Sequence, residues 1–247
     1  MVSGAVRVGA ALGRGAAERA ADAARGAAAA LLGPAAGAPD RDRALARYHR
    51  VAADYDLLTA AGDRYRRRAV AALGLRPGEV VLDVGCGTGL NFAPLAAAVG
   101  ERGRLIGIEQ CPDMLARAAG RIDAAAATDV TLVEAPAEEA DLRLRADAAL
   151  LCGTHDIVRS GRALRNVLRH VRPGGRVVAA GAKWAPWWRP GSAALNLWTW
   201  QVNRPFVTTF EGFDRPWSLL EDLVDDLAVE EVLMGGGYIA AGSAPVR

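Results

Sequence analysis

The stretch of sequence that decides the fold is Val81-Leu82-Asp83-Val84-Gly85-Cys86-Gly87-Thr88-Gly89. Its apolar, β-branched beginning predicts a buried strand over residues 80–84, and its glycines predict a tight turn into an Ala-rich helix over residues 90–99. Such a turn lets the backbone approach a ligand closely, and the N-terminus of the following helix offers free N–H groups. The stretch therefore predicts a cofactor site between the first strand and the first helix of an α/β sheet.

Apolar runs and helical patterns alternate along the rest of the chain. The predicted strands span residues 80–84, 104–109, 130–134, 147–152, 176–182, 229–234 and 238–241, and the later predicted helices span residues 112–119, 158–171 and 219–227. This alternation is typical of a parallel sheet with helices on both faces. The last two strands are separated by only a few residues, so they must be antiparallel. We therefore predict an α/β fold with a Rossmann-like, doubly wound, seven-stranded sheet, mostly parallel with a C-terminal antiparallel hairpin.

The amino-acid composition excludes several classes of protein. A net charge of +2, from 30 basic and 28 acidic residues, gives no general electrostatic reason to expect a nucleic-acid partner. No stretch reaches the roughly 20 apolar residues that cross a bilayer, although contact with a membrane surface stays open. Cys86, Cys111 and Cys152 lack the spacing of metal ligands. We therefore expect a reduced, cytoplasmic protein without a bound metal.

Two acidic residues narrow the choice of cofactor. Glu109 ends the second predicted strand, 24 residues after Gly85, where a carboxylate can accept hydrogen bonds from both hydroxyls of a ribose. Asp83 lies just before the glycine turn, where a carboxylate would repel a pyrophosphate but would suit an ammonium group. The turn also has the spacing G-x-G-x-G rather than G-x-G-x-x-G. These features favour a nucleoside cofactor with a cationic end over a dinucleotide.

Residues 83–89 resemble motif I of the class I methyltransferases that use S-adenosyl-L-methionine (SAM). Residues 108–115 (IEQCPDML) resemble the second-strand segment of that family, and residues 172–178 (RPGGRVV) resemble the turn into its fifth strand. The predicted terminal hairpin is also similar, and the resemblance extends over residues 45–245. Within the class, the chain looks most like bacterial small-molecule enzymes of the quinone and phosphatidylethanolamine methyltransferase type, and a tailoring enzyme of secondary metabolism fits equally well.

The resemblance implies roles for individual residues around SAM. Asp83 would orient its ammonium group, Glu109 would bind its ribose, and the backbone of the glycine turn would meet its amino-acid end. Adenine would lie between the side chains of the second-strand segment. The cofactor-binding residues implied in this way are Tyr55, Asp83, Gly85, Cys86, Gly87, Gly89, Glu109, Gln110, Met114, Ala137 and Cys152.

The resemblance also has implications for two positions outside the glycine turn, one near adenine and one in a lid over SAM. Pro136 occupies the position where many relatives have an Asp whose carboxylate accepts a hydrogen bond from adenine. That contact is absent here, and the backbone N–H of Ala137 is the group that can still bind adenine. The pair Tyr55-Asp56 resembles a pair that often lies in a lid over SAM.

These segments predict one methyltransferase domain over residues 40–247, preceded by an Ala- and Gly-rich tail over residues 1–39 that we expect to be mobile. The domain would consist of N-terminal lid helices (40–76), a SAM-binding core (77–183), a Trp-rich acceptor cap (184–217), and a closing helix with the hairpin (218–247).

An acceptor would lie beyond the carboxyl ends of the strands. His155 follows the fourth strand, where it would either remove a proton from the acceptor or only shape its pocket. Tyr48, Trp184 and Trp188, together with His155, are the predicted acceptor-binding residues, although the tryptophans of the cap also suit a packed core. The arginines between residues 64 and 68 either attract an anionic acceptor or form a solvated helix face.

The sequence thus predicts a SAM-dependent methyltransferase of a small, apolar or amphiphilic acceptor, with S-adenosylhomocysteine (SAH) as the second product. The Asn/Asp-Pro-Pro-aromatic motif of enzymes that methylate nucleic-acid bases is absent after the fourth strand, so no nucleic-acid partner is expected. The alternatives are a SAM-binding regulator or scaffold without transferase activity and, third, an NAD-dependent oxidoreductase.

Overall fold

The computed structural model of the protein describes residues 39–122 and 128–246. Almost all of the predicted tail, residues 1–38, therefore lies outside the described residues. Within the described ranges the helices are α1 (Arg41–Val51), α2 (Tyr55–Thr59), α3 (Asp63–Ala72), α4 (Phe92–Val99), α5 (Pro112–Ala119), α6 (His155–Val158), α7 (Gly161–Arg169), α8 (Ser192–Asn203) and α9 (Ser218–Glu221), with 3-10 turns at Ala60–Gly62 and Leu233–Gly235.

A seven-stranded sheet forms the centre of the fold and confirms the predicted class. Its strands are β1 (Val80–Val84), β2 (Arg104–Glu109), β3 (Asp129–Glu134), β4 (Ala146–Cys152), β5 (Val171–Ala182), β6 (Asp225–Val232) and β7 (Gly237–Ser243). They lie in the order β3-β2-β1-β4-β5-β7-β6. The pairs among β1 to β5 are parallel, whereas β7 pairs antiparallel with both β5 and β6. The order reverses at β1, so β1 and β4 flank the crevice in which such sheets bind ligands.

Apolar clusters cover both faces of the sheet. One cluster includes Leu82, Leu164, Val167 and Leu220, and the other includes Val81, Val70, Phe92 and Leu95. Neighbouring residues of β1 therefore point to opposite faces, and both faces are buried. This explains why the strand reads as an unbroken apolar run rather than an alternating one.

Two predicted helices have wrong boundaries. The helix expected over residues 158–171 is shorter and corresponds to α7, because Val158 ends α6 and Val171 begins β5. The Ser160 hydroxyl accepts a hydrogen bond from the backbone N–H of Ala163 (3.2 Å) and caps α7. The helix expected over residues 219–227 ends at Glu221, because from Asp225 onward the backbone pairs with β7. Continuation of the sheet thus outweighs the helical spacing of the apolar residues in this segment.

A buried amide connects α7 to the segment that follows β3. Asn166 is buried, and its Nδ2 donates to the carbonyls of Ala137 (2.9 Å) and Ala140 (2.8 Å). These carbonyls lie beside the crevice, so the amide fixes one wall of the region where a cofactor would bind.

We expect Asn166→Leu to lower the free energy of unfolding by about 2 kcal/mol or more, because two buried carbonyls lose their donor. The measurement is urea denaturation of both proteins. Arg165→Leu, at an exposed position of the same helix, is the control and should change stability by about 0.5 kcal/mol or less. A loss no larger than that of the control would contradict the role assigned to the amide.

Candidate functional site

The glycine turn after β1 adopts a backbone that only glycine accepts without strain. Gly85, Gly87 and Gly89 have φ values of 66°, 56° and 80°. A Cβ on Gly85 would lie 2.7 Å from Cγ2 of Thr154, and a Cβ on Gly89 would lie 2.8 Å from the ring of Phe92. The turn therefore packs directly against the loop after β4 and against α4, and its backbone faces the crevice.

Glu109 connects the turn to the end of β2. Its buried carboxylate accepts hydrogen bonds from the backbone N–H groups of Gly87 (3.0 Å) and Cys111 (2.8 Å). Burial raises the pKa of Glu109, and the two backbone donors oppose that rise. Each oxygen keeps a second lone pair, so the carboxylate can accept further hydrogen bonds from a diol at the mouth of the crevice.

Asp83 and Asn91 form a buried pair behind the turn. The Asn91 Nδ2 donates to Asp83 Oδ1 (3.0 Å), while Asp83 Oδ2 and Asn91 Oδ1 have no hydrogen-bond partner. Burial raises the pKa of Asp83 to about 7. Buried oxygens without a donor are uncommon, and two of them side by side fit a ligand that brings a cationic donor.

Two adjoining cavities lie above the glycine turn. The first cavity, of about 100 Å³, is bounded by Tyr48, Glu109, Gln110, Met114 and Ala137. The second cavity, of about 270 Å³, lies between α2, α3, α8 and the turn before β7. The residues that line both are Tyr55, Gly85, Gly153, His155, Phe206 and Val207. A ligand in one cavity would therefore contact a wall of the other.

Aromatic side chains form a roof over these cavities. The ring of Phe206 stacks on Tyr48 (centroids 6.5 Å apart) and meets Tyr55 edge-on (5.5 Å). The segment that carries Phe206 is held by Asp156, whose carboxylate accepts from the backbone N–H and the hydroxyl of Thr208. The roof thus joins the N-terminal helices to the cap that precedes α9.

A polar cluster ties α2 to the glycine turn. The Asp56 carboxylate accepts from the Thr88 hydroxyl (2.6 Å) and from Arg121 (2.5 Å), and Arg121 also donates to the Thr88 carbonyl (3.0 Å). Burial raises the pKa of Asp56, but these two donors outweigh it, and the net pKa lies below the usual value. This cluster holds Tyr55, the preceding residue, over the cavities.

His155 lies at the boundary between the two cavities and is buried against Phe213, with ring centroids 4.5 Å apart. Burial lowers its pKa to about 4, and the charge of Arg159 adds to this effect. Both ring nitrogens are buried and have no hydrogen-bond partner among the described residues. The imidazole is therefore neutral at pH 7 and is a weak base. This environment favours hydrogen bonding and pocket shape over proton removal.

Arg66 turns into the second cavity, unlike its neighbours Arg64, Arg67 and Arg68, which are exposed. Its Nη1 donates to the Thr59 carbonyl (3.1 Å), and its Nε has no hydrogen-bond partner. Among the carboxylates of the described residues none forms an ion pair with it. The second cavity thus contains a cation that is free to bind an anionic group.

The structure brings most of the predicted site residues together. The predicted residues that line the first cavity are Tyr48, Tyr55, Gly85, Gly87, Glu109, Gln110, Met114, Ala137 and His155. The second cavity is lined by two more, Cys86 and Cys152. Asp83 and Gly89 lie behind these walls. Trp184 packs on Phe210 (5.4 Å between centroids), Trp188 is 67% exposed, and neither lines a cavity.

Four residues that line the second cavity were not singled out from the sequence, although three of them lie in segments that it indicated: Arg66, Asn91, Trp198 and Phe206. The spacing of Trp198 and Val202 is helical, and it is a signal from which α8 could have been predicted. The buried side of this helix is polar instead, with Ser192, Asn196 and Thr199, so hydrophobicity gives no signal for it. No sequence signal distinguishes Arg66 from the other arginines of its run, because only the packing of α3 turns it inward.

Within the described ranges, no three or more His, Cys, Asp or Glu side chains gather as a metal site. No helix in the part of the chain that the structure describes has the length and apolar character needed to cross a membrane.

We expect Asp56→Asn to destabilise the protein at pH 7 by about 1 kcal/mol or less, because half-exposed ion pairs are screened. Since the folded state lowers the pKa of Asp56, its stabilisation is present above the usual value of about 3.9 and is lost as the pH falls below it. Urea denaturation of both proteins at pH 7 and pH 3.5 checks this: the difference should shrink at the lower pH. Asp54→Asn, exposed and without a capping hydrogen bond, is the control, and an equal effect there would refute the role of the cluster.

Comparison with known proteins shows what part of the chain is similar to a known family. Residues 81–175 match the family described as "Methyltransferase domain". The chain is 35% identical over 130 residues to a 37.1 kDa protein in transposon TN4556 of Streptomyces fradiae, a match over 51% of this chain and 36% of that protein. It is 31% identical over 124 residues to demethylmenaquinone methyltransferase of Bacillus cereus (strain AH187), over 46% and 49% of the two chains. The matched regions thus span between about a third and a half of the length of these curated relatives.

Among solved structures, the fold is similar to that of the N-methyltransferase NodS from Bradyrhizobium japonicum WM9 in complex with SAH. The TM-score is 0.54 at 15% identity, over 76% of this chain and 88% of that chain. The sheet order, the glycine turn and the sequence matches agree with one another. Residues 81–175 therefore form a methyltransferase domain, and the sheet has the order of the class I methyltransferases, whose cofactor is SAM.

Proposed function

We propose that the protein transfers a methyl group from SAM to a small, apolar or amphiphilic acceptor bound in the second cavity. The observation that carries the proposal is the shared wall of the two cavities. Glu109 stands in the first cavity, where it suits a ribose, and the second cavity adjoins it at Tyr55, Gly153 and His155. Two ligands could therefore meet at this boundary.

The residues around the boundary fit the amino-acid end of SAM. Asn91 Oδ1 and Asp83 Oδ2 are buried acceptors without a donor, which suits an ammonium group. Asn91 lines the second cavity directly, while Asp83 would act on the ammonium from behind the wall. Arg66 lines the same cavity and has no described carboxylate partner, which suits the carboxylate of an amino acid.

When bound, SAM supplies a methyl group on a positively charged sulfur, so the leaving group is already activated. The task of this chain is then to align the acceptor and exclude water. Tyr55 and Phe206 cover the boundary, and His155 presents a neutral imidazole to an acceptor. The weak basicity of His155 favours an acceptor that needs little help in losing its proton.

The chemistry of the acceptor remains part of the proposal. The demethylmenaquinone methyltransferase of Bacillus cereus has a name that indicates a quinone-type acceptor, and the aromatic and apolar lining of the second cavity is consistent with such a molecule. We also propose a cytoplasmic location and no nucleic-acid partner, on the basis of the reduced cysteines and the balanced charge.

The test of the proposed function combines binding with turnover. We expect SAH and SAM, but not NAD, to raise the midpoint of thermal unfolding by several degrees at saturating concentration. SAH formation should then appear with demethylated quinols or related apolar phenols as acceptors. Stabilisation by NAD alone would refute the proposal, and SAH binding without turnover across such a panel would favour the alternative, a SAM-binding regulator.

The raised pKa of Asp83 leads to a pH-dependent affinity for SAH. Because an ammonium group favours the ionised carboxylate, binding below pH 7 must release a proton, and affinity should fall by about tenfold per unit of pH below 7. Calorimetric titration between pH 5.5 and 8 in two buffers of different ionisation enthalpy measures both effects. Adenosine, which lacks the ammonium group, is the control ligand. Asp83→Asn should remove the dependence, and a variant that keeps the same slope would exclude Asp83 as its source.

Arg66→Met should weaken SAH binding by about tenfold or more, as expected for the loss of a charge-assisted hydrogen bond. The affinity for adenosine should change by less than about twofold, because adenosine has no carboxylate. Arg64→Met, at an exposed position of the same helix, is the matched control. Equal losses for SAH and adenosine would mean that Arg66 supports the structure rather than the carboxylate.

A further inference from the structure

Four exposed apolar side chains surround the opening of the second cavity. They are Leu58 of α2, Trp198 and Val202 of α8, and Leu233 of the turn before β7, and we refer to them as the apolar frame. Leu58, Trp198 and Leu233 are 57%, 58% and 56% exposed, although all of them also line the cavity. Single exposed apolar residues are ordinary, but several around one opening indicate contact with a ligand.

The inner part of this cavity contains polar groups. The polar side chains His155 and Thr199 are buried there, beside Phe213 and Tyr238, and Thr199 Oγ1 has no hydrogen-bond partner. The apolar frame lies at the surface. A ligand that fits this arrangement has a polar group at its inner end and an apolar part at its outer end.

The size of the cavity limits how much of such a ligand lies inside. Its volume is about 270 Å³, and its inner wall includes Gly85, Cys86 and Asn91, which face the amino-acid end of the cofactor under the proposed function. Pockets that enclose a drug-sized ligand fully have roughly 300–1,000 Å³. An acceptor with a substantial apolar part must therefore extend through the opening, and the apolar frame is what it meets there.

We propose that the acceptor is an amphiphile whose polar, methyl-accepting end lies against His155 and whose hydrocarbon chain leaves the cavity through the apolar frame. The identification of the inner end as the reacting end rests on the proposed function. The path of the chain rests only on the cavity and its frame.

The chain offers matched controls for each side of the opening. Three exposed apolar residues directly neighbour frame residues without lining the cavity: Leu57 beside Leu58, Leu197 beside Trp198 and Met234 beside Leu233. Leu57 and Met234 are more exposed than their frame neighbours, and Leu197 (54%) is nearly as exposed as Trp198 (58%). Replacing either member of a pair by Gln removes exposed apolar surface, and Leu57 and Leu58 are the closest match because the side chains are the same. Only the frame variant alters the path of the ligand.

The experiment uses alkan-1-ols from hexanol to dodecanol as uncharged probes, titrated by calorimetry into the full-length protein saturated with SAH. We expect the affinity to rise by about fourfold per methylene group while the chain crosses the frame, and then to level off. Leu58→Gln and Trp198→Gln should each weaken decanol binding by about tenfold, and Leu57→Gln and Leu197→Gln by less than about twofold. Thermal unfolding verifies that every variant is folded.

The same titrations can overturn the proposal. Affinity that does not depend on chain length would exclude a hydrocarbon path through the frame. Equal losses in frame and neighbour variants would indicate a general apolar surface. A membrane contact would be indicated instead by two results together. The protein would bind phosphatidylglycerol vesicles and lose that binding in the neighbour variants, and the frame variants would bind decanol as tightly as the unmodified protein.

Failure of this proposal is distinguishable from failure of the proposed function. If the protein does not bind SAH but binds alkanols in the expected pattern, the proposed hydrocarbon path is supported and the proposed methyltransferase function is refuted. SAH binding with no alkanol binding would refute the path alone.

Discussion

The site depends on the backbone of the glycine turn, which has no space for a side chain at Gly85 or at Gly89. A Cβ on Gly85 would lie within 3 Å of Thr154 and Ile157, on either side of His155, and the N–H of Gly87 donates to Glu109. One turn therefore sets the position of the carboxylate that suits a ribose and of the histidine that faces the second cavity. A side chain at Gly85 would separate β1 from the β4 loop and would alter both cavities at once.

Around this fixed turn the rest of the site comes from separate parts of the sequence. The N-terminal helices contribute Tyr55 and Arg66, α8 contributes Trp198, and the turn before β7 contributes Leu233. Hydrogen bonds and ring contacts hold these parts together, through Asp56 on one side and Phe206 on the other. Under the proposed function, the sheet and the glycine turn supply Glu109 and Asp83 for the cofactor, and the N-terminal helices add Arg66. The acceptor would meet mainly the appended segments, so acceptor choice could change without altering the sheet.

The centre of the sheet could be predicted from the sequence because β1, β2 and β4 are buried on both faces and so appear as largely apolar runs. The glycine turn and Glu109 could be predicted because their chemistry requires those residue types at that spacing. Predictions failed where tertiary contacts, rather than the local sequence, determine the structure. The residues after Glu221 have helical spacing, yet pairing with β7 makes them a strand. Trp184 and Trp198 look alike in sequence, and only tertiary packing puts one against Phe210 and the other at the cavity opening. Arg66 is one of several arginines, and its role depends on how α3 packs.

The roof that the two cavities share has a consequence for the kinetic sequence of a turnover. Tyr55 and Phe206 form a wall of each cavity, so a molecule in the second cavity holds in place the same rings that cover the first. Under the proposed function, the cofactor must enter before the acceptor, and the methylated product must leave before SAH. Steady-state kinetics would then be ordered rather than random, and acceptor in excess would retain SAH on the protein and slow its release.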